Sequence, residues 1–203
     1  MKDLFRKQMG QFIATLQGTM DDPNIAEAIV SAGKLTAAAM KNGHKLMVAG
    51  NGGSAADAQH LVAEFVSRLT VDRPALRAIA LTTDTSILTA IGNDFSYDNV
   101  FERQIEALGQ NGDIFLGIST SGNSTNLVKA LKLCKQLGIT TVGYIGCGGG
   151  KMAPLCDIAL VVPSDITMNI QEAHLALEHI YCMAVERFYF SGDVGNAGRV
   201  SCE

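Results

Sequence analysis

Apolar positions recur at helical spacing at the start of the chain. Leu4, Phe5, Met9, Phe12 and Leu16 line one side of a helix over residues 1–19. Asp21-Asp22-Pro23 ends that helix and opens a second, with Asp22 placed to cap and Pro23 suited to a first turn. The second helix runs to about Lys41, where Asn42-Gly43 stops it. From there the pattern changes. Short continuous apolar runs at residues 46–49, 78–81, 114–118, 140–145 and 158–162 read as five strands. A helix starts at Ser54, helical stretches separate most of the later strands, and a long helix spans about Thr167 to Phe188.

Strands that are apolar throughout and alternate with helices predict an α/β fold: a parallel five-stranded sheet covered on both faces, with right-handed crossovers. The first two helices precede the sheet. Their apolar faces need a partner, and a second subunit is the expected one. No repeat, low-complexity stretch or linker divides the chain, so residues 1–203 read as one domain, with residues 1–43 as a helical N-terminal segment.

Composition narrows the function classes. With 47% apolar and 18% charged residues the chain is globular. Its net charge of −4 argues against nucleic acid as a partner, because binding a phosphate backbone needs a basic face. No leader and no membrane-length apolar run is visible, so a cytoplasmic protein is expected. The five cysteines are scattered with no C-x-x-C pair, which fits reduced thiols.

Two strand-to-helix turns have the chemistry of anion sites. Gly50-Asn51-Gly52-Gly53-Ser54 follows the first strand, and Ser54-Ala55-Ala56-Asp57 resembles a capping box. Glycines let backbone N–H groups approach a ligand at a helix N-terminus, although the same glycines would suit any tight turn. The stretch is neither a Walker loop nor G-x-G-x-x-G, since Ala55 stands where the third glycine belongs. The second turn, Ser119-Thr120-Ser121-Gly122-Asn123-Ser124, holds four hydroxyls in six residues, more than an N-cap needs. Hydroxyls and helix-terminal amides together suit a phosphate at the carboxyl ends of parallel strands.

His60 and Glu64, four apart, share one helix face and can bind a divalent cation or act as a base, or simply form a surface pair. The last helix carries Gln171, Glu172, His174, Glu178 and His179 among apolar residues, so it has a polar face that meets either solvent or a site. Thr89 to Asp94 lies between the second and third strands, and Asn93-Asp94 after glycine is ordinary turn chemistry.

Together these motifs resemble one family. Gly50-Asn51-Gly52-Gly53-Ser54, Asp57-Ala58-Gln59-His60, Glu64, Gly92-Asn93-Asp94, the run from Gly117 to Ser124, and Ile170-Gln171-Glu172 with His174 are similar to the phosphoheptose (sedoheptulose 7-phosphate) isomerases. These belong to the wider sugar isomerase (SIS) class. The resemblance covers nearly the whole chain. It implies a SIS-type sheet flanked by helices and a homotetramer with sites at subunit interfaces. It further implies that Ser119, Thr120, Ser121 and Ser124 hold a sugar phosphate, and that Asn51, Gly52, Gly53, Asn93 and Asp94 contact the sugar. His60, Glu64, Gln171 and His179 match the family's zinc positions, with Gln171 and Glu64 also meeting substrate, and Glu64 and His179 match its catalytic pair.

Gln171 and His179 are eight residues apart, about 12 Å along a continuous helix. Either the helix breaks near Gln171 or the two residues serve one ion from different subunits. Asn169 stands where the family often has arginine, Cys147 interrupts a glycine-rich stretch in an unfamiliar way, and residues 191–203 match nothing and suit a disordered tail. Two alternatives share the turns: an isomerase of another phosphosugar, and a non-catalytic SIS protein of the replication-initiator-associating kind. The latter lacks an acidic residue at the Glu64 position, which this chain has.

Overall fold

The computed structural model describes residues 1–190; the proposed tail, 191–203, lies outside them. Two helices come first, α1 (Lys2–Asp21) and α2 (Pro23–Lys41). The Asp22 carboxylate accepts from the Asn24 N–H at 2.9 Å and Pro23 opens α2, as their chemistry predicts. Then follow β1 (Leu46–Gly50), α3 (Gly53–Val66), β2 (Ala78–Ala80), α4 (Thr85–Asp94), a 3-10 turn (Tyr97–Asn99), α5 (Glu102–Leu108), β3 (Ile114–Ser119), α6 (Thr125–Leu137), β4 (Thr140–Ile145), β5 (Ile158–Val161) and α7 (Thr167–Tyr189).

All five strands are parallel, in the order β2-β1-β3-β4-β5. β1 and β3 are buried at every position, which explains their unbroken apolar sequences. One face of the sheet packs on α2, α3 and α7, through Ile25, Ile29, Ala58, Phe65, Leu177 and Tyr181 among others. The other packs on α5 and α6 through Phe101, Ile105, Leu127 and Leu131. The chain leaves β1 toward β2 on one side and returns with β3 on the other. This reversal opens a crevice at the carboxyl ends of β1 and β3, the place where ligands bind in such sheets. The register pairs Gly50 with Ile118, so the two polar turns begin side by side.

α2 departs from expectation. It finds its partner within the chain, against α7, where Gly33 lies so close that a Cβ would meet the Ala184 methyl at 2.8 Å. Among the described residues, α1 keeps a broad apolar face in solvent. Asn169 is 2% exposed and accepts from the Gln8 amide at 3.0 Å, so it ties α1 to α7.

Candidate active site

In the first turn, Gly52 adopts φ +58° and ψ −122°, a backbone that disfavours any side chain. α3 then starts at Gly53, one residue before the expected Ser54. No side chain caps it, and Ser54 is buried, so Ser54–Asp57 is not a capping box. The Gln171 side chain lies directly on Gly53, in the space a Cβ would occupy. Glycine here lets α7 touch the turn.

In the second turn the hydroxyls converge. The Ser119 Oγ lies 3.1 Å from the Ser124 Oγ and 3.5 Å from the Ser121 Oγ, and accepts from the Gly122 N–H at 3.1 Å. Ser124 is the N-cap of α6 yet makes no side-chain cap bond, which leaves its hydroxyl for the cluster. Thr120 is half-buried beside them. The glycine-rich stretch after β4 backs the turn: the Gly122 O accepts from Met152 N at 3.0 Å, and a Cβ on Gly122 would strike the Gly149 carbonyl. The turns are joined by Asn51 and Asn126, whose side-chain amides pair at 3.0 and 2.9 Å.

Below the first turn, α3 and α7 bring His60, Glu64 and His179 together. One ligand atom from each lies within 4.8 Å of the others, in a half-buried position where a metal ion could be held. The His60 Nε2 is 2.9 Å from the His179 Nε2 and 3.7 Å from a Glu64 oxygen. α7 is unbroken from Thr167 to Tyr189, so the helix does not break near Gln171. Gln171 meets the start of α3 at Gly53, while His179 meets His60 two turns further along.

Asn93 and Asp94 end a helix rather than forming a turn: α4 opens on the Asp84 cap, which accepts from the Ile87 N–H at 2.9 Å, and closes at Phe95, whose N–H donates to the Ile91 carbonyl. Both are exposed and bond to each other at 2.8 Å.

The polar set on α7 is neither a solvent face nor wholly a site. It forms one arc that runs from the interior (His174, Glu178) through Gln171 and His179 to exposed Glu172. Burial pushes the Glu178 carboxyl up to about 9, with the Asp57 charge adding to the shift. Burial lowers His174 to about 4, which the Ile145 backbone offsets in part. Asp57 rises to about 6 through burial; the His60 charge opposes the rise and Glu172 adds to it. Sequence reasoning missed Asn126 and Tyr97, whose hydroxyl donates to the Asn51 Oδ1 at 3.2 Å. An amide among apolar residues, just after a hydroxyl turn, was the available signal for Asn126.

Comparison with known proteins gives the same picture. The SIS domain family matches residues 11–146. A phosphoheptose isomerase of Aneurinibacillus thermoaerophilus is 50% identical over 190 residues, covering 94% of this chain and 96% of that one. Phosphoheptose isomerase 2 of Campylobacter jejuni is 55% identical over 171 residues, 84% of this chain and 85% of its own. The structure of phosphoheptose isomerase GmhA from Neisseria gonorrhoeae has a TM-score of 0.86 at 39% identity, covering 91% of this chain and 98% of that chain. With identity of this level over nearly its full length, and with the hydroxyl turn and the His/Glu/His group in place, the chain belongs to the phosphoheptose isomerase family of SIS-domain proteins.

Proposed function

We propose that the chain converts sedoheptulose 7-phosphate to D-glycero-D-manno-heptose 7-phosphate, feeding the synthesis of nucleotide-activated heptoses. The observation that carries this reading is the meeting of His60, Glu64 and His179 beside the two polar turns. Ser119, Thr120, Ser121 and Ser124, with the amides that open α6, hold the phosphate. Asn51, Gly52, Gly53, Asn93, Asp94 and Gln171 contact the sugar.

The reaction moves a carbonyl from C2 to C1. Glu64 takes a proton from C1 while His179 gives one to the carbonyl oxygen on C2, forming an enediol. Glu64 then returns its proton to C2, and the hydroxyl on C1 gives its proton to His179, leaving the aldehyde. Electrons and protons balance within the substrate and these two side chains, and no redox cofactor enters.

The donor set fits zinc. Two imidazole nitrogens on a tetrahedral ion sit about 3.4 Å apart, given Zn–N bonds of about 2.0–2.1 Å. The 2.9 Å seen between His60 and His179 needs only a small rotation. When bound, zinc would supply a Lewis acid that polarises the carbonyl oxygen in place of the His179 proton, since an imidazole nitrogen on zinc has none to give. His60, Glu64 and His179 hold it from one chain. Because α7 is unbroken and carries Gln171 away from His179, Gln171 completes the set from a neighbouring copy, in a homotetramer.

The test is to incubate the purified protein with sedoheptulose 7-phosphate and follow aldose formation, alongside Glu64→Gln. Turnover by the wild type and a loss of about 10²–10⁴-fold in the variant are expected. No turnover by the wild type, with and without added zinc, would sink the reading in favour of a binding protein or of another phosphosugar.

A further inference from the structure

Asn51 sits in the sugar-binding turn, and its side chain is held by groups that belong to neither turn's glycines nor its hydroxyls. Which end of each amide points where can be settled from a single backbone donor. The Leu127 N–H donates to the Asn126 Oδ1 at 2.9 Å. A backbone N–H is a donor only, so that end of Asn126 is oxygen. The other end of Asn126 is then Nδ2, which donates to the Asn51 Oδ1 at 2.9 Å. Asn51 in turn donates its Nδ2 to the Asn126 Oδ1 at 3.0 Å. The Tyr97 hydroxyl donates to the Asn51 Oδ1 at 3.2 Å.

A side-chain amide has two N–H donors and an oxygen that accepts two bonds. The Asn51 oxygen is filled by Asn126 and Tyr97. One of its two N–H groups is used by Asn126. What Asn51 can offer a ligand from its side chain is one N–H, and no acceptor. Asn126 is 3% exposed, so it is a support and not itself a surface a sugar meets. It stands at the second residue of α6, the helix that opens on the hydroxyl turn. Lys129, one turn further along α6, donates to the Asn99 Oδ1 at 3.3 Å and holds the Tyr97–Asn99 segment in reach of Asn51.

We infer that Asn126, assisted by Tyr97, is a positioning residue that fixes the Asn51 amide as a hydrogen-bond donor toward an oxygen of the sugar phosphate. The same pair sets the distance between the sugar turn and the phosphate turn. The inference rests on the proposed isomerase reading. A substrate group at this point is an acceptor, such as a hydroxyl or carbonyl oxygen. Asn126→Asp replaces the donor with an oxygen that faces the Asn51 Oδ1, so one of the two pairing bonds is lost and the Asn51 amide is no longer firmly held, at nearly constant shape.

The experiment is a double-mutant cycle, with KM and kcat for sedoheptulose 7-phosphate and its calorimetric Kd as readouts. Asn126→Asp should raise KM and Kd about tenfold with kcat within about twofold, the scale of one misdirected hydrogen bond. Tyr97→Phe should raise them about threefold. In an Asn51→Ala background both effects should shrink below about twofold, because each residue acts through Asn51. General damage to the fold would not vanish in that background. Undiminished effects there, or an unchanged KM and Kd in folded Asn126→Asp, would overturn the inference. If Asn126→Asp does not fold, the Tyr97→Phe arm decides by the same criterion. A wild type that binds the sugar phosphate without turning it over would sink the assigned reaction and leave the Kd cycle as the test of Asn126; one that neither binds nor turns over would overturn both.

Discussion

At the residue scale, the polar atoms buried without partners in the described part of the chain belong to Asp57, His174 and Glu178. His174 is fully buried, beside the Tyr144 ring at 5.9 Å. Its imidazole is held near 4 in the folded state against 6.5 when free, because burial disfavours its charge. A base whose folded value is depressed contributes stability present above 6.5 and lost as pH falls toward 4. His174 alone should therefore remove on the order of 3 kcal/mol across that window. His174→Phe keeps a ring and cannot charge. Urea midpoints from pH 7 down to pH 4 should fall more steeply for the wild type than for His174→Phe, and parallel curves would refute the assignment. The sequence grouped His174 and Glu178 with Gln171 and His179 because all are polar on one helix. Which of them faces the core depends on how α7 rolls against β4 and α3, and residue type alone does not encode that roll.

At the element scale, the segment between α3 and β2 has no regular structure yet is firmly held. Glu186, near the end of α7, accepts from the Thr70 hydroxyl at 2.6 Å and from the Arg73 Nε at 2.8 Å. The Arg73 guanidinium also donates to the Phe65 and Glu64 carbonyls, each at 2.8 Å, so it satisfies the open end of α3. The two charged side chains are 2% and 4% exposed. This clamp joins the helices that carry His60, Glu64 and His179. Arg73→Ala would strand a buried carboxylate and should cost on the order of 3–5 kcal/mol in urea unfolding; a loss below about 1 kcal/mol would mean the clamp is dispensable. None of this pairing was legible, because Arg73 and Glu186 lie far apart in sequence and each looks like surface charge. The strands were legible for the opposite reason. Leu46 to Ala49 and Ile114 to Ile118 are apolar at every position because both faces of the sheet are covered. α4 was misread at its end, since Gly92-Asn93-Asp94 has turn composition while the Asp84 cap that sets the helix lies upstream.

At the scale of the whole molecule, α1 is the element that the single chain leaves unfinished. Phe5, Met9, Ile13, Leu16 and Met20 recur every three or four residues and are 66%, 41%, 61%, 38% and 69% exposed. A stripe of that length on one helix is more than scattered surface apolarity and needs a cover. The proposed zinc set would call for a neighbour too, because one unbroken α7 presents Gln171 and His179 to separate stretches of α3. A symmetric assembly of identical copies answers both demands at once. Glutamate at both Phe5 and Ile13 would place two charges in the covered stripe without touching the core, since both side chains are exposed in the isolated chain. If the proposed tetramer forms through this stripe, sedimentation equilibrium should then show a fall to smaller species, with the helical circular dichroism signal retained. Zinc affinity should fall with it, by about ten- to a hundredfold, because His60, Glu64 and His179 remain while a fourth donor is lost. Dissociation with full zinc affinity would mean that the ion is held within one chain and that α1 serves assembly alone. A tetramer that survives both charges would put the interface elsewhere on the molecule.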